Sequence, residues 1–273
     1  MALTVRTNMS AMSAYNSLNS TQNALTNSLG RISSGLRVTK AADDAAGLGV
    51  ATKLASRSDS LGQAMRNAND GISMIQTAEG STNEVTNILS RMRELAVQSS
   101  SETLADSERA YINDEFSQLN QEITRISSVT EFNGISLGDG STSTVSAQIG
   151  IENAATSRIS ISLGDLRATV LGVGTLDLSS STGARSAIDA IDSAIDTVNG
   201  YRSSYGAVQN RLESSLSNSS TYMESLKSAE SQIMDADFAK ESTEMTKNQI
   251  MQQAGVAALA QAKNVNQSVL SLL

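Results

Sequence analysis

The stretch "YNSLNSTQNALTNSLGRI", residues 15–32, has an apolar residue at almost every third or fourth position. Alternating spacings of three and four residues are typical of the apolar seam of a coiled-coil helix. One seam position is polar, because Gln22 stands where an apolar residue would be expected. The stretch therefore predicts a helix whose apolar seam consists of Tyr15, Leu18, Leu25, Leu29 and Ile32.

A second heptad helix is predicted towards the other end of the chain. Its seam, at spacings of three, four, seven, four and three residues, consists of Met251, Ala254, Ala258, Val265, Val269 and Leu272. Both helices lack the charges that usually surround a solvated seam: residues 7–30 have none, and residues 248–273 have only Lys263. Amides and hydroxyls without ions are typical of helix surfaces that become packed, because a buried ion loses its hydration.

Apolar residues at helical spacing predict further helices on both sides of a short β region between these ends. Within residues 131–180, the alternating run "RISISL", residues 158–163, predicts a hairpin strand. The chain has no proline, so nothing forces a break in a long helix. We therefore predict a mainly α fold, an elongated antiparallel helical bundle or coiled coil with a small β-hairpin region in the middle of the chain.

The composition argues against several classes of function. The chain has no cysteine and no histidine, so it lacks the principal ligands of zinc sites and the commonest acid–base catalyst. A net charge of −8 argues against nucleic acid as a main partner. The N-terminus does not resemble a secretory signal peptide, and no run of about 18 apolar residues could span a bilayer. We expect no enzyme activity, no cofactor, no metal site and no membrane partner.

Three interpretations of the uncharged terminal helices are open. They can be the ordinary core of a helical bundle, which is the usual origin of a heptad pattern. They can be amphipathic helices at a membrane surface, although such helices usually carry Lys and Arg, and residues 1–32 offer only Arg6 and Arg31. They can also be assembly arms that are loose in the free chain, since burial in an isolated pair would hardly offset the cost of ordering the backbone.

Several longer motifs follow one another along nearly the whole chain. They are "LGRISSGLRVTKAADDAAGLGVATKL" (29–54), "RMRELAVQSS" (91–100), "EFNG" (131–134), "YGAVQNRLE" (205–213) and "ESQIMDADFAKESTEMTKNQIMQQAGVAALAQAKNVNQSVLSLL" (230–273). Together they resemble bacterial flagellin, the filament subunit of the flagellum. The β region is followed at once by the next helix, so the chain is similar to a short flagellin that lacks the outer variable domains of many relatives.

The resemblance implies how the chain is organised and what it does. Residues 1–43 would pair with residues 231–273 as a terminal coiled-coil assembly domain at the inner tube, and residues 44–230 would form a rod-shaped helical bundle with β-hairpins at about 131–180. The implied function is a structural subunit that is exported unfolded through the flagellar type III apparatus, without a cleaved signal peptide. It would then polymerise into the extracellular filament for motility, with its terminal helices folding on assembly.

The resemblance also implies partners for the chain. These are other copies of the chain in a homopolymer, a flagellar export chaperone, and filament-cap and hook-junction proteins. A hook–filament junction protein, which also has paired terminal helices, is the alternative within the same fold. An enzyme or secreted binding module on a helical bundle is the alternative of a different class, although a zinc protease site of the HExxH type would need histidine.

A recognition surface for the vertebrate Toll-like flagellin receptor is implied as well. The matching motif places it at Arg91, Leu95 and Gln98, with Glu115 on the next helix. Ser90 stands where this motif often has glutamine, a difference that bears on receptor potency. In the structural alternative, Leu95 belongs to a contact between subunits and the charges form a polar rim around it.

Two other features have simpler structural explanations. The stretch "GLGVATK", residues 47–53, lacks the glycine spacing and the preceding strand of a phosphate loop, and predicts the start of a helix. The acidic pairs Asp43–Asp44 and Asp235/Asp237 lie near a connector and a helix start, where carboxylates are favoured without a metal ion.

Overall fold

The structure is a computed structural model that describes the chain from residue 7 to residue 270, with side-chain surroundings up to residue 264. The described residues form five α-helices, α1 (Met9–Ser34), α2 (Ala45–Ser99), α3 (Asp106–Val129), α4 (Ser181–Met234) and α5 (Phe238–Leu270). Between α3 and α4 lie four short strands, β1 (Glu131–Phe132), β2 (Ile135–Ser136), β3 (Thr144–Gln148) and β4 (Arg158–Ser162). The prediction of a mainly α chain with a β region in its middle is confirmed.

The chain packs into two compact units. The first contains Met1–Ser58 and Glu224–Leu273, and the second contains Asp59–Met223. The division falls inside α2 and α4, which run for 55 and 54 residues because no proline interrupts them. The domain boundaries predicted from the sequence, after residues 43 and 230, remain a prediction.

Two antiparallel hairpins form the β region that the structure describes. β1 and β2 are joined by a turn at Asn133 and Gly134, whose φ angles of 50° and 77° are both positive. Asn-Gly is the favoured pair for such a tight turn, because both residues tolerate a left-handed backbone. β3 pairs with β4 over five residues on each side.

The alternation in β4 decides which side of its hairpin is buried. Ile159 and Ile161 are 4% and 0% exposed, whereas Ser160 between them is exposed. The two isoleucines belong to an apolar cluster whose buried members on α2 and α4 are Ala68, Met74, Ile75, Ala78, Tyr205, Val208 and Leu212. The hydroxyl of Tyr205 also accepts a hydrogen bond of 3.0 Å from the N–H of Gly164, which fixes the segment after β4 to α4.

A second apolar cluster joins α2 and α3 to α4 and to the segment that precedes α4. Its fully buried large side chains include Val85, Leu89, Met92, Leu95, Phe116, Ile123, Leu166, Val173, Leu178 and Ile191. Because these residues come from segments far apart in the sequence, the cluster fixes which faces of α2 and α3 are inside the second unit.

Arg109 is the buried polar centre of the connection between α2 and α3. It is 5% exposed, and its guanidinium donates to the carbonyl oxygens of Ser99 and Leu104, the latter at 3.1 Å. The Ser99 hydroxyl donates in turn to the carbonyl of Leu178 at 2.6 Å. Since a buried donor without an acceptor is costly, these bonds hold the turn at the start of α3 in place.

Two glycine-to-alanine substitutions should change stability in opposite directions. A Cβ on Gly164 would lie 2.4 Å from the ring of Tyr201, so Gly164→Ala is expected to cost about 1–3 kcal/mol by overpacking. Gly200 lies inside α4 with no neighbouring atom within 4 Å of an added Cβ, so Gly200→Ala should stabilise by about 0.5–1 kcal/mol. Urea unfolding followed by circular dichroism measures both. Shifts of the same sign would contradict the packing around Gly164.

Candidate assembly interface

α1 and α5 pack against each other in the first unit. They run antiparallel, since Asn8 at the start of α1 contacts Ala262 in α5, and Arg31 near the end of α1 contacts Glu241. The side-chain amide of Asn8 donates to the Ala262 carbonyl at 3.0 Å. Its oxygen accepts from the N–H of Ala11 at 3.0 Å and so caps α1. Two segments at opposite ends of the sequence therefore meet in one helix pair.

The predicted seam of α1 is covered only in part by this pairing. Leu25 is buried, at 7% exposed, and Leu18 and Ile32 are half-buried. Tyr15 and Leu29 are 61% and 48% exposed. The seam thus contains residues that pack within the chain and residues that the chain itself leaves uncovered.

In α5, the covered face differs from the predicted seam by one residue. The half-buried positions in the middle of the helix are 252, 255, 259 and 262. The predicted seam residues with described surroundings are exposed instead: Met251, Ala254 and Ala258. The surroundings of Val265 and Val269, and Leu272 as a whole, lie outside the described residues.

A glycine accounts for the face on which the two helices meet. A Cβ placed on Gly255 would lie only 3.2 Å from Cδ1 of Leu18, so the backbone of α5 comes close to α1 there. Residues 254–262 are rich in alanine and offer several apolar stripes of similar strength, between which periodicity does not choose. The close approach at Gly255 therefore determines which face of α5 packs against α1, a choice that the alanine-rich sequence does not make.

Two pairs of polar side chains lie between the described parts of the helices. The side-chain amide of Gln252 donates to the side-chain oxygen of Gln22, the polar position in the seam of α1. Arg31 pairs with Glu241 at 3.2 Å, and Glu241 is only 8% exposed. A buried carboxylate needs such a partner, because burial removes its hydration. The sequence showed the polar interruption at Gln22 but not its partner on α5, which sequence reasoning missed together with Glu241.

The connector after α1 is bound to the connector before α5 by backbone hydrogen bonds. Gly35 ends α1 with a left-handed φ of 72°, and its carbonyl accepts from the N–H of Ala236 at 2.9 Å. The N–H of Arg37 donates to the carbonyl of Met234 at 2.6 Å. These bonds hold the two connectors together at one end of the helix pair.

Two acidic residues of the connectors act as helix caps. Asp44 at the start of α2 and Asp237 at the start of α5 each accept from a backbone N–H, at 2.7 and 2.9 Å. Asp43 accepts from the N–H groups of Thr39 and Lys40, and these bonds hold its pKa below the usual value. In the part of the chain that the structure describes, no group of acidic side chains is arranged to hold a metal ion.

Three of the residues expected at a receptor surface are accessible on α2 and α3. The guanidinium of Arg91 donates to Glu115 from two nitrogens, at 3.0 and 2.8 Å, and to Glu94 at 2.9 Å. Hydrogen bonds to Glu115 and then to Glu94 raise the pKa of Arg91 above its usual value. Gln98 is also exposed. Arg91, Gln98 and Glu115 are therefore all open to a partner in the free chain.

Leu95 does not lie on that surface. Its side chain is 2% exposed and belongs to the apolar cluster that also contains Phe116. The exposed apolar residue nearby is Val97, at 48%. The expectation that Leu95 contacts a receptor or a neighbouring subunit is thus wrong for the folded chain, because packing of α3 and α4 onto α2 encloses its side chain.

The α1–α5 pair leaves large apolar side chains uncovered on both helices. They are Met9, Met12, Tyr15 and Leu29 on α1, and Phe238, Ile250, Met251 and Val256 on α5. The residues around them, except at Phe238, are mainly Ser, Thr, Asn and Gln. Apolar side chains in such numbers on an uncharged surface indicate an interaction site. Between residues 7 and 270, no helix combines the length and the apolar character that crossing a membrane requires.

Both ends of the sequence match one protein family. Residues 5–143 match the bacterial flagellin N-terminal helical region, and residues 188–273 match the bacterial flagellin C-terminal helical region. The chain belongs to the bacterial flagellin family. Flagellins are structural proteins rather than enzymes, and the family places this chain as a structural subunit of the extracellular flagellar filament.

Individual flagellins are also similar to this chain in sequence. The chain is 44% identical to a flagellin of Halalkalibacterium halodurans over 192 residues, which are 70% of this chain and 71% of that flagellin. It is 45% identical to flagellin B of Vibrio cholerae over 174 residues, 64% of this chain but 46% of that protein. The match thus spans about half the length of the Vibrio flagellin, and the present flagellin lacks a large variable domain.

A solved flagellin structure has a related fold. The crystal structure of Bacillus cereus flagellin is 30% identical to this flagellin and superposes with a TM-score of 0.51. The superposition covers 56% of this chain and 88% of that one.

Shortening the side chain of Leu95 should lower the stability of the second unit rather than alter a contact surface. Leu95→Ala is expected to lower the free energy of unfolding of the second unit by about 2–5 kcal/mol, because it leaves a cavity in a close-packed cluster. Val97→Ala, two residues away at an exposed position, is the matched control and should cost about 0.5 kcal/mol or less. Thermal and urea unfolding measure the two changes. A loss of the same size in both variants would show that Leu95 is not enclosed.

Proposed function

We propose that copies of this flagellin polymerise through the paired terminal helices into the filament that drives motility. The observation that carries the proposal is the α1–α5 pair, which joins the two ends of the described chain and leaves large apolar side chains of both helices uncovered. A protein that stays monomeric rarely exposes so many of them on one element. Neighbouring copies of the chain would cover them in the filament.

The lack of charge on the same helices supports contacts between copies. No charged side chain lies on α1 before Arg31, or on α5 between Lys247 and Lys263. Packing these faces against other copies therefore removes no water from ions, a cost that a charged surface would incur. Residues 1–43 and 231–273 would then form the inner assembly domain of each subunit, and residues 44–230 the bundle outside it.

The seam residues have different roles in this proposal. Leu18, Leu25 and Ile32 pack mainly within the chain's own helix pair. The residues that face neighbouring copies are Tyr15, Leu29, Met251, Ala254 and Ala258, and the same role is proposed for Val265, Val269 and Leu272.

Assembly also completes the folding of the terminal helices in this proposal. Among the described residues of α1 only Leu25 and Ser28 are buried, so the isolated pair gains little to offset the cost of ordering its backbone. A weakly folded pair suits export of the unfolded chain through the flagellar type III apparatus, without a cleaved signal peptide. The proposed partners on this route are a flagellar export chaperone, the filament cap and the hook-junction proteins.

Seeded polymerisation tests the proposed function. Purified protein mixed with flagellar filament fragments should form long tubes that electron microscopy detects. Short stubs that stop growing would instead favour a hook–filament junction protein.

Substitution of an uncovered seam residue should weaken polymerisation without unfolding the chain. Leu29→Asp places a charge on a surface that other copies would bury, and burial of a leucine contributes about 1.5–3 kcal/mol. The critical concentration for filament growth should rise about tenfold or more, since 1.4 kcal/mol corresponds to a factor of ten. Tyr111→Asp, at a position 75% exposed on α3, is the control for a new surface charge. Equal growth of the Leu29→Asp variant and the wild type would exclude Leu29 from the contact.

Hydrogen exchange tests folding on assembly. In the free chain, amides of residues 9–34 and 238–264 should exchange much faster than those of the two apolar clusters in the second unit. In the filament the same amides should become protected. Strong protection of both helices before assembly would contradict the proposal, whereas the second unit serves as an internal reference in either state.

The accessible residues of α2 and α3 support a further proposed interaction, with the vertebrate Toll-like flagellin receptor. Arg91, Gln98 and Glu115 would contact it, and the buried Leu95 would not. Arg91→Ala should reduce activation of receptor-expressing reporter cells by about tenfold, the loss expected for one charged contact at an interface. Arg93→Ala is the matched control, because Arg93 is a similarly exposed arginine on α2 that pairs with Asp192 at 2.6 Å. A similar loss from both variants would argue against a specific role of Arg91.

A further inference from the structure

Antiparallel helices with a repetitive apolar seam can pair in more than one register. In α1, Leu18, Leu25 and Ile32 follow one another every seven residues, and the part of α5 around Gly255, which faces Leu18, is rich in alanine. A slip of one heptad in one direction would place Leu25 where Leu18 now packs against this alanine-rich surface, with little change in apolar burial there. Apolar packing alone therefore specifies the register of α1 against α5 only weakly.

The backbone hydrogen bonds between the two connectors, at Gly35 and Arg37, fix the register at one end of the pair. Along the helices themselves, two polar side-chain contacts distinguish the observed register from its neighbours. Near the middle of the pair, Gln252 donates to Gln22. Towards the end of α1, Arg31 pairs with Glu241 at 3.2 Å, where the carboxylate is largely enclosed while the guanidinium is partly exposed. Each contact joins two side chains that have no equivalent one heptad away on α1.

A slip of one heptad would remove both contacts. Gln252 would then lie opposite Leu29, which has no acceptor, or opposite Tyr15, whose hydroxyl lies farther from the backbone than the amide oxygen of glutamine and would need a different geometry. Glu241 would lie opposite Ala24 in one direction and beyond the end of α1 in the other. An enclosed carboxylate without a cation is much less favourable than a mismatched apolar pair, so the shifted registers are penalised.

We propose that the Gln22–Gln252 and Arg31–Glu241 contacts are a register lock that selects one alignment of α1 with α5. The inference rests on the proposed assembly function, because a shifted pair would displace the uncovered residues of α1 relative to those of α5. Every copy with the lock presents the same surface to its neighbours. The four residues act as positioning residues, as a single polar position in an apolar coiled-coil seam fixes register at some cost in stability.

Cysteine cross-linking measures the register, because the chain has no cysteine of its own. A Cβ on Gly255 would lie 3.9 Å from the Cβ of Leu18, a separation that suits a disulfide. The variant Leu18→Cys/Gly255→Cys therefore reports the observed register, and Leu25→Cys/Gly255→Cys reports a slip of one heptad. Filaments are assembled under reducing conditions, oxidised and dissociated, and the intrachain cross-linked fraction is separated from dimers on a non-reducing gel.

With the lock intact, the first cysteine pair should cross-link and the second should not. Removal of the lock by Gln22→Leu, Gln252→Leu, Arg31→Met and Glu241→Met should lower the ratio of observed to slipped cross-link by about tenfold or more, the factor that one or two side-chain hydrogen bonds supply. The exchange Arg31→Glu/Glu241→Arg is the matched control, because it keeps a cation opposite a carboxylate and should retain the single register. An unchanged ratio after removal of all four side chains would overturn the lock.

The outcome for the lock can be separated from the outcome for assembly. If the unsubstituted chain does not extend filament seeds, the proposed assembly function fails. The same two cysteine pairs, oxidised in the free chain, still compare the two registers in that case. A tenfold change of their ratio on removal of the lock supports it, and no change rejects it.

Discussion

The antiparallel packing of α1 on α5 is the interaction on which the organisation of the chain depends. Because α1 pairs with α5, the chain leaves the helix pair through the connector after α1 and returns to it through the connector before α5. The two connectors are bound to each other by backbone hydrogen bonds at Gly35 and Arg37, so the points of exit and return coincide. The long helices α2 and α4 begin and end at these connectors, and the hairpins and α3 lie in the sequence between them.

Charge is distributed in accordance with this arrangement. Ion pairs such as Arg93–Asp192 and Arg125–Glu122 lie on exposed parts of the second unit, where water screens them and their contribution to stability is small. The helix pair differs, because α1 carries no charge before Arg31 and α5 carries none between Lys247 and Lys263, and because the Arg31–Glu241 pair encloses a carboxylate. Ion pairs therefore contribute mainly to solubility in the second unit, whereas the Arg31–Glu241 pair contributes to the proposed alignment of α1 with α5 in the first unit.

The sequence predicted those features that local patterns determine. The helical character of α1 and the alternating strand at residues 158–162 follow from spacing and from residue type alone. The covered face of α5 could not be predicted in the same way, because an alanine-rich helix has no dominant stripe and Gly255 acts only through its distance to Leu18. The burial of Leu95 likewise depends on α3 and α4, which a pattern within α2 does not contain. For the candidate interface, Gln22 was recognisable as an interruption, whereas its partner required the register that the fold supplies.

The hydrogen bond between Asn8 and Ala262 spans 254 positions of sequence, and this separation affects the order in which the molecule can fold. In an unfolded chain, closure of so long a loop carries an entropy cost that grows with the logarithm of its length, and no contact offsets that cost before closure. Once the second unit has folded, most of the intervening residues no longer contribute to this cost, and the flexible path between the ends is much shorter. Loop-closure entropy therefore favours folding of the second unit before the helix pair. The connectivity of the chain thus favours formation of the α1–α5 pair, with its uncovered apolar side chains, after the second unit has folded. This order limits premature association between copies during folding.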